Sequence, residues 1–258
     1  MPVNDELGKR MKKYEAVPQI SLMRRTPVAI RIDGKAFHTF TRKLNKPWDD
    51  IFQGAMQDTM KYLCKNIQGC VFGYQQSDEI TLILTDYETL TTDAWFGYEV
   101  QKLCSISASM ATMKFNQAFK HRVSVWFDNY FEAWHTSPEE DRYAEVLNDC
   151  ELVGAMFDAR CFNIPKEEVV NLVYWRQVDA VRNSIQSMAQ ANFSHKQLDR
   201  KNTKQLREML AGIGKPWEDV PLYQQRGVAC VKNEDGWYID ESMPILKGDG
   251  RDYLERLI

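Results

Sequence analysis

Residues 70–84, CVFGYQQSDEITLIL, set two short apolar runs on either side of a polar stretch, and that arrangement leaves a chain few options. Five-residue apolar runs are too short for ordinary helices and read as strands, so CVFGY and ITLIL form a hairpin with Asp78 and Glu79 at or just past its turn. A hairpin alone is not stable and needs further strands and a cover. Upstream, TPVAIRIDG supplies a strand in which Val28, Ile30 and Ile32 alternate between a proline entry and an Asp-Gly exit. Between them Ile51, Phe52, Ala55, Met56, Met60, Leu63 and Ile67 recur at helical spacing, which predicts an amphipathic helix from Trp48 to about Asn66.

A second helix is expected from about Asp93 to about Phe119, with Trp95, Val100, Leu103, Ile106, Met110 and Met113 as its inner face. Met56, Met60, Met110 and Met113 then read as core filling. A fourth strand comes from either RVSVWF or GAMFDARCFNIP. The expected fold is therefore α+β, a palm-like β-α-β-β-α-β antiparallel sheet with helices on one face over residues 1–165. Residues 166–258 read as a mainly helical portion packed on it. That portion opens on one long helix or a helix pair and includes a small hairpin at KNEDGWYID.

Hydrophobic residues make up 44% of the chain and charged residues 27%, which is globular composition and excludes disorder. No apolar run approaches the roughly 18 residues of a membrane span, and MPVNDELGKRMKKYE lacks the apolar core of a signal peptide, so a cytoplasmic protein with no membrane partner is expected. The six cysteines form no C-x-x-C pair and read as buried free thiols; the histidines show no metal-binding spacing. Charge is segregated within a net −3. Basic residues dominate 9–31 and 192–215, while acidic ones dominate 132–151. Such a protein can bind a phosphate backbone through one surface, although solvated helix faces give the same pattern.

In the expected sheet the first strand lies beside the strand opened by the hairpin, so Asp33 and Asp78 meet at neighbouring strand ends. Close carboxylates repel, and divalent cations remove that cost; Mg²⁺ takes one or two carboxylates and completes its shell with waters and phosphates. Asp33 and Asp78 are thus candidate ligands for a two-metal phosphoryl or nucleotidyl transfer site. Only one of Asp78 and Glu79 can share a face with Asp33 in regular strand; Asp78 is favoured, with Glu79 as an outer-shell or structural acid. Gly34 lets backbone approach a phosphate or turn its carbonyl onto a cation. The competing reading takes Asp-Gly and Ser-Asp-Glu as turn signals only.

RIDGKAFHTF, KPWDD, GYQQSDEITLIL, FDARCFNIP and YWRQVDAVRNSI, in that order, resemble the tRNA-His guanylyltransferase family, most closely its bacterial-type, guanylyltransferase-like branch. The resemblance covers residues 5–190 and, more loosely, PWEDVPLYQQRGV. It implies a polymerase palm that adds nucleotides to the 5′ end of tRNA in the 3′–5′ direction, with ATP and GTP as substrates and a homotetrameric assembly. It also implies two Mg²⁺ ions on Asp33, Asp78 and the Gly34 carbonyl. Asp33, Gly34, Lys35, Ala36, Phe37 and His38, with Ser77, look like the triphosphate site. Lys46, Asp49 and Lys102 match positions that contact phosphate or base.

Eukaryotic members carry H-I-N-N where this chain has Val181, Arg182, Asn183 and Ser184, so template-dependent repair of truncated tRNA is expected over untemplated addition of G to tRNA-His. Glu99 departs from a basic residue near the triphosphate. Arg176 and Asn183 are candidate nucleotide or tRNA contacts, and Lys196, Arg200, Lys201, Lys204 and Arg207 are candidate tRNA contacts or a plain solvated face. His121, His135 and His195 read as ordinary histidines. A nucleotide cyclase would use the same palm but lacks its G-G-D-E-F-type hairpin here. A non-catalytic RNA-binding sheet would have no need of Asp33 and Asp78.

Overall fold

The structure, a computed structural model, describes residues 5–132 and 137–258. In chain order its elements are α1 (Glu6–Ala16), β1 (Val28–Gly34), α2 (Phe37–Phe40), α3 (Asp50–Asn66), β2 (Cys70–Gln76), β3 (Glu79–Leu84), α4 (Val100–Glu132), α5 (Pro138–Val153) and β4 (Phe157–Asn163). After these come α6 (Lys166–Asn192), α7 (His195–Leu198), α8 (Thr203–Gly212), α9 (Leu222–Arg226), β5 (Val228–Asn233), β6 (Gly236–Asp240) and α10 (Asp252–Glu255). The strands form one antiparallel sheet in the order β4-β1-β3-β2-β5-β6, the first four of which are the expected β-α-β-β-α-β unit.

Strand alternation gives this sheet two buried faces. Val28, Ile30 and Ile32 of β1, with Ile80, Leu82 and Leu84 of β3, pack on Met56, Met60 and Leu63 of α3 and on Leu103, Ala111 and Phe115 of α4. The intervening residues Ala29, Phe72, Tyr74 and Ile83 pack on Val169, Val170 and Val173 of α6 and on Met243, Leu246 and Leu254. A third, smaller core joins the far half of α6 to Leu206 and Leu210 of α8 and to Trp217.

Three expectations change in the structure. RVSVWF lies inside α4, which runs to Glu132, and the fourth strand is the other candidate, as β4. Of that hexapeptide only Val123 is buried, one turn beyond Phe119, while Arg122 reaches Asp58 of α3 at 2.8 Å; both demands are helical. The inner face of α4 is also rotated. Leu103, Ser107, Ala111 and Phe115 are buried at four-residue spacing, and the small Ser107 and Ala111 bring the helix close to its neighbours. Ile106 and Met113 are turned out to 39% and 45% exposure, so Met113 does not fill the core, whereas Met56 and Met60 do. Finally, the KNEDGWYID hairpin is not a separate piece, because β5 pairs with β2 and extends the main sheet. Lys166–Asn192 is one continuous helix.

All six cysteines are free, and among the described residues no helix is long and apolar enough to cross a membrane.

Candidate active site

β1 ends at Asp33-Gly34 just where β3 begins at Glu79, and the register pairs Asp33 with Glu79. Directly opposed residues of an antiparallel pair share a face, so the acid on the face of Asp33 is Glu79 and not Asp78. Asp78 instead belongs to the two-residue turn Ser77-Asp78 that joins β2 to β3. Ser77 takes φ 50°, the left-handed conformation a two-residue hairpin requires at its first turn position, and its hydroxyl donates to Asp78 Oδ1 at 3.0 Å.

The awkward placing of two adjacent acids is resolved unequally. Glu79 is buried and both its oxygens are engaged: Oε1 accepts from Arg176 Nε at 2.7 Å and Oε2 from Arg31 Nη2 at 2.8 Å. Asp33 and Asp78 have no such cancellation. Burial pushes both carboxyls above the usual range. The charges of Glu79 and Asp158 add to this for Asp33, and those of Asp33 and Glu79 for Asp78. Groups with raised pKa values at a cleft mark functional sites more often than chance.

The cleft is a cavity of about 450 Å³ beside this turn. Of the residues singled out from sequence, Gly34, Ala36, Phe37, His38, Lys46, Asp49, Ser77, Asp78 and Asn183 line it, whereas Asp33, Lys35 and Lys102 do not. Gly34 is required sterically, since a Cβ there would lie 2.2 Å from the ring of Phe37. Phe37 is buried among Phe40, Phe52, Phe115 and Phe157, which anchors the loop after β1 to the core. Ala36 takes φ 56° to make that turn.

The cationic and acidic members differ in what they have free. Lys46 donates to the Thr41 carbonyl at 2.8 Å, and partial burial lowers its pKa. Asp49 is the N-cap of α3, accepting from Phe52 N at 2.9 Å and from Tyr143 Oη at 2.5 Å, so its carboxylate is committed to the fold. Lys102 sits at the start of α4, 3.1 Å from Glu99. Lys35 lines a second, mainly apolar cavity of about 560 Å³ on the reverse of the same loop.

The architecture and the match of chains now converge. The family model for tRNA(His) guanylyltransferase matches residues 8–165. The chain belongs to the tRNA(His) guanylyltransferase family. A solved bacterial tRNA(His) guanylyltransferase-like protein in complex with ATP superposes with a TM-score of 0.82 at 40% identity, covering 98% of this chain and 99% of that one. One in complex with GTP gives 0.77 at 37% identity, with the same coverage. A protein of Acanthamoeba polyphaga mimivirus is 31% identical over 241 residues, 89% of this chain and 78% of its own. As a member of the guanylyltransferase family the chain is a nucleotidyltransferase.

Within this guanylyltransferase fold, α6 contributes more of the cavity than sequence suggested. Besides Asn183, it presents Ala180, Ser184 and Ser187 to the space, and the far wall includes Gln224 and Gly227. Small and neutral polar residues on a helix look like a solvated face, so nothing in the sequence singled them out. Arg176 is 6% exposed and held by Glu79 and Asp179, which places it beneath the site instead of in it. Lys196, Arg200, Lys201, Lys204 and Arg207 lie exposed around α7 and α8; Arg207 pairs with Glu218 and covers Trp217. His38, His121 and His195 are exposed, and His135 lies outside the described residues.

Among the described residues no three His, Cys, Asp or Glu side chains form a metal cluster. A site for Mg²⁺ does not need one, because two hard carboxylate oxygens supplemented by a carbonyl and substrate phosphates suffice. The donor chemistry of Asp33, Asp78 and Gly34 fits, with Asp78 and Gly34 lining the cavity and Asp33 at the strand end beside them.

Proposed function

We propose that this protein adds nucleotides to the 5′ end of tRNA in the 3′–5′ direction, and that it repairs 5′-truncated tRNA under the direction of the opposing strand. The observation that carries the reading is the pair of acids at adjoining strand ends, Asp78 lining a nucleotide-sized cavity and Asp33 next to its Gly34 wall, with burial disfavouring the charge of both. ATP and GTP are the triphosphates of choice, supported by the two bacterial relatives solved with them.

Asp33, Asp78 and the Gly34 carbonyl would hold Mg²⁺, which when bound neutralises phosphate charge and eases deprotonation of an attacking hydroxyl. The loop Ala36–His38 and Lys46 cradle the triphosphate, and Asn183 and Ser187 of α6 close the opposite wall. The 3′-hydroxyl of the bound nucleotide attacks the activated 5′ phosphate of the tRNA, and AMP or pyrophosphate leaves. The exposed cations of α7 and α8 supply a surface for the tRNA backbone. Assembly as a tetramer belongs to the same reading; α1 buries none of its residues and exposes Leu7, Met11 and Tyr14 at helical spacing, a stripe suited to a neighbouring copy.

The test is incorporation of labelled GTP on a tRNA lacking its first nucleotide, opposite C or U, by wild type and Asp78→Ala. Addition opposite C alone, lost in the variant, is the expected result. Addition whatever the opposing base would assign untemplated guanylate transfer instead. Binding without addition would leave an RNA-binding module.

A further inference from the structure

The two candidate metal ligands reach the site from adjoining elements, the end of β1 and the turn before β3. Asp78 lines the cavity; Asp33 does not, and of its electrostatic neighbours Glu79 belongs to β3, while Asp158, Arg160 and Arg31 belong to β4 and β1. The register places Asp158 opposite Asp33 and Arg160 opposite Arg31, while Arg31 precedes Asp33 by two residues on the same face, about 7 Å along the strand. Helix α6 crosses both flanks. Ala180, Asn183 and Ser187 look into the cavity, and Trp175 sits over Arg31.

Trp175 is anomalous. It is 53% exposed, whereas among the described residues every other tryptophan is buried or partly buried. Leaving an indole in water forgoes one of the largest hydrophobic gains a side chain offers, so an exposed one calls for a partner. The ring is also held in place. The Arg176 guanidinium lies 4.5 Å and that of Arg31 5.5 Å from its centroid, and a single carboxylate, Glu79, binds both guanidiniums. That shared anchor gathers the two cations together and leaves half of the indole surface in solvent. Val178, one turn on and 50% exposed, widens the apolar shelf. A fixed aromatic face amid arginines is how proteins hold unpaired nucleobases, by stacking on the ring and charge on the backbone.

We infer that Trp175 is a stacking platform for a nucleobase of the RNA strand, on the Asp33 side of the carboxylates and opposite the triphosphate cavity. The inference rests on the nucleotidyltransferase reading and names where the RNA end lies. A platform over Arg31, two residues before Asp33 on the same strand face, would fix the terminal base while the incoming nucleotide occupies the cavity.

The experiment compares full-length wild type, Trp175→Ala and Trp175→Phe on 5′-truncated tRNA with GTP, and follows tryptophan fluorescence on adding a short single-stranded RNA. Trp175→Ala should raise the KM for tRNA roughly tenfold and leave the KM for GTP within twofold, with Trp175→Phe recovering most of the loss. Wild-type fluorescence should be quenched by the RNA, and that quench should largely vanish in Trp175→Phe. An unchanged KM for tRNA in Trp175→Ala overturns the inference, as does a quench that survives in Trp175→Phe. So does a variant whose only change is its oligomeric state, which would make Trp175 a protein contact. Wild type that adds no nucleotide defeats the functional reading instead, and the quench titration then still decides the platform by itself.

Discussion

Asp78 and Glu79 are neighbours in sequence with opposite fates, and the difference is one of partners. Glu79 is cancelled by two guanidiniums; Asp78 has a serine hydroxyl and a raised pKa. A carboxyl whose folded pKa lies above its unfolded value destabilises the fold when ionised, and the penalty fades as pH falls through the folded value. Asp78→Asn should therefore melt higher than wild type at pH 7–8, with the gap closing toward pH 4, while addition of nucleotides drops by about 10²–10³-fold. Thermal melts across pH, paired with the incorporation assay, check both; a gap that widens on acidification would contradict the electrostatic account. That the end of β1 meets the β2–β3 turn was legible, because strand and turn signals at Asp33-Gly34 and Ser77-Asp78 are local. The capping role of Asp49 was less legible, because a carboxylate before a helix serves as cap or ligand and the bonds to Phe52 and Tyr143 come from the fold.

At the level of elements, the link between sheet and α6 is ionic where it approaches the site. Arg176 and Glu79 are both nearly inaccessible, and removing Arg176 takes away one of the two guanidiniums that cancel the buried carboxylate, leaving Arg31. Arg176→Met should lower stability by about 3 kcal/mol in denaturant melts, and adding Glu79→Gln to it should recover part of the loss. No recovery in the double variant would mean that Arg176 acts by packing alone. Local pattern reads such elements well when they stand alone, as with α3 or the β2–β3 hairpin. It fails at Arg122–Phe127, whose alternation suits a strand, because the segment continues α4, with Val123 buried against the core and Arg122 paired with Asp58 of α3. It also misjudges the face of α4, where Ser107 and Ala111 are chosen for close approach and displace the larger Ile106 and Met113 outward.

For the whole molecule, the sheet has no finished front without the C-terminal third. Ala29, Phe72, Tyr74 and Ile83 are wholly buried under α6 and the chain's last turns, and β2 has β5 as its second partner. A fragment of residues 1–165 should lose the cooperative melt and expose apolar surface to dye binding, whereas the full chain should unfold in one transition. A soluble fragment with a sharp melt would establish two independent units. This closure was the least legible feature, since the pairing of Gly73–Gln75 with Val228–Cys230 is set by neither segment's own pattern.

The interval between those partners has a meaning for synthesis. About 150 residues separate the end of β2 from β5, so at roughly 5–20 residues per second a ribosome needs on the order of 10–30 s to deliver the missing strand. Both acids are translated at the start of that interval, α6 past its middle and the wall around Gln224 only at its end. A nascent chain thus lacks one neighbour of β2 and one wall of its cavity until β5 is made, and the open strand edge is available for mispairing in the interval.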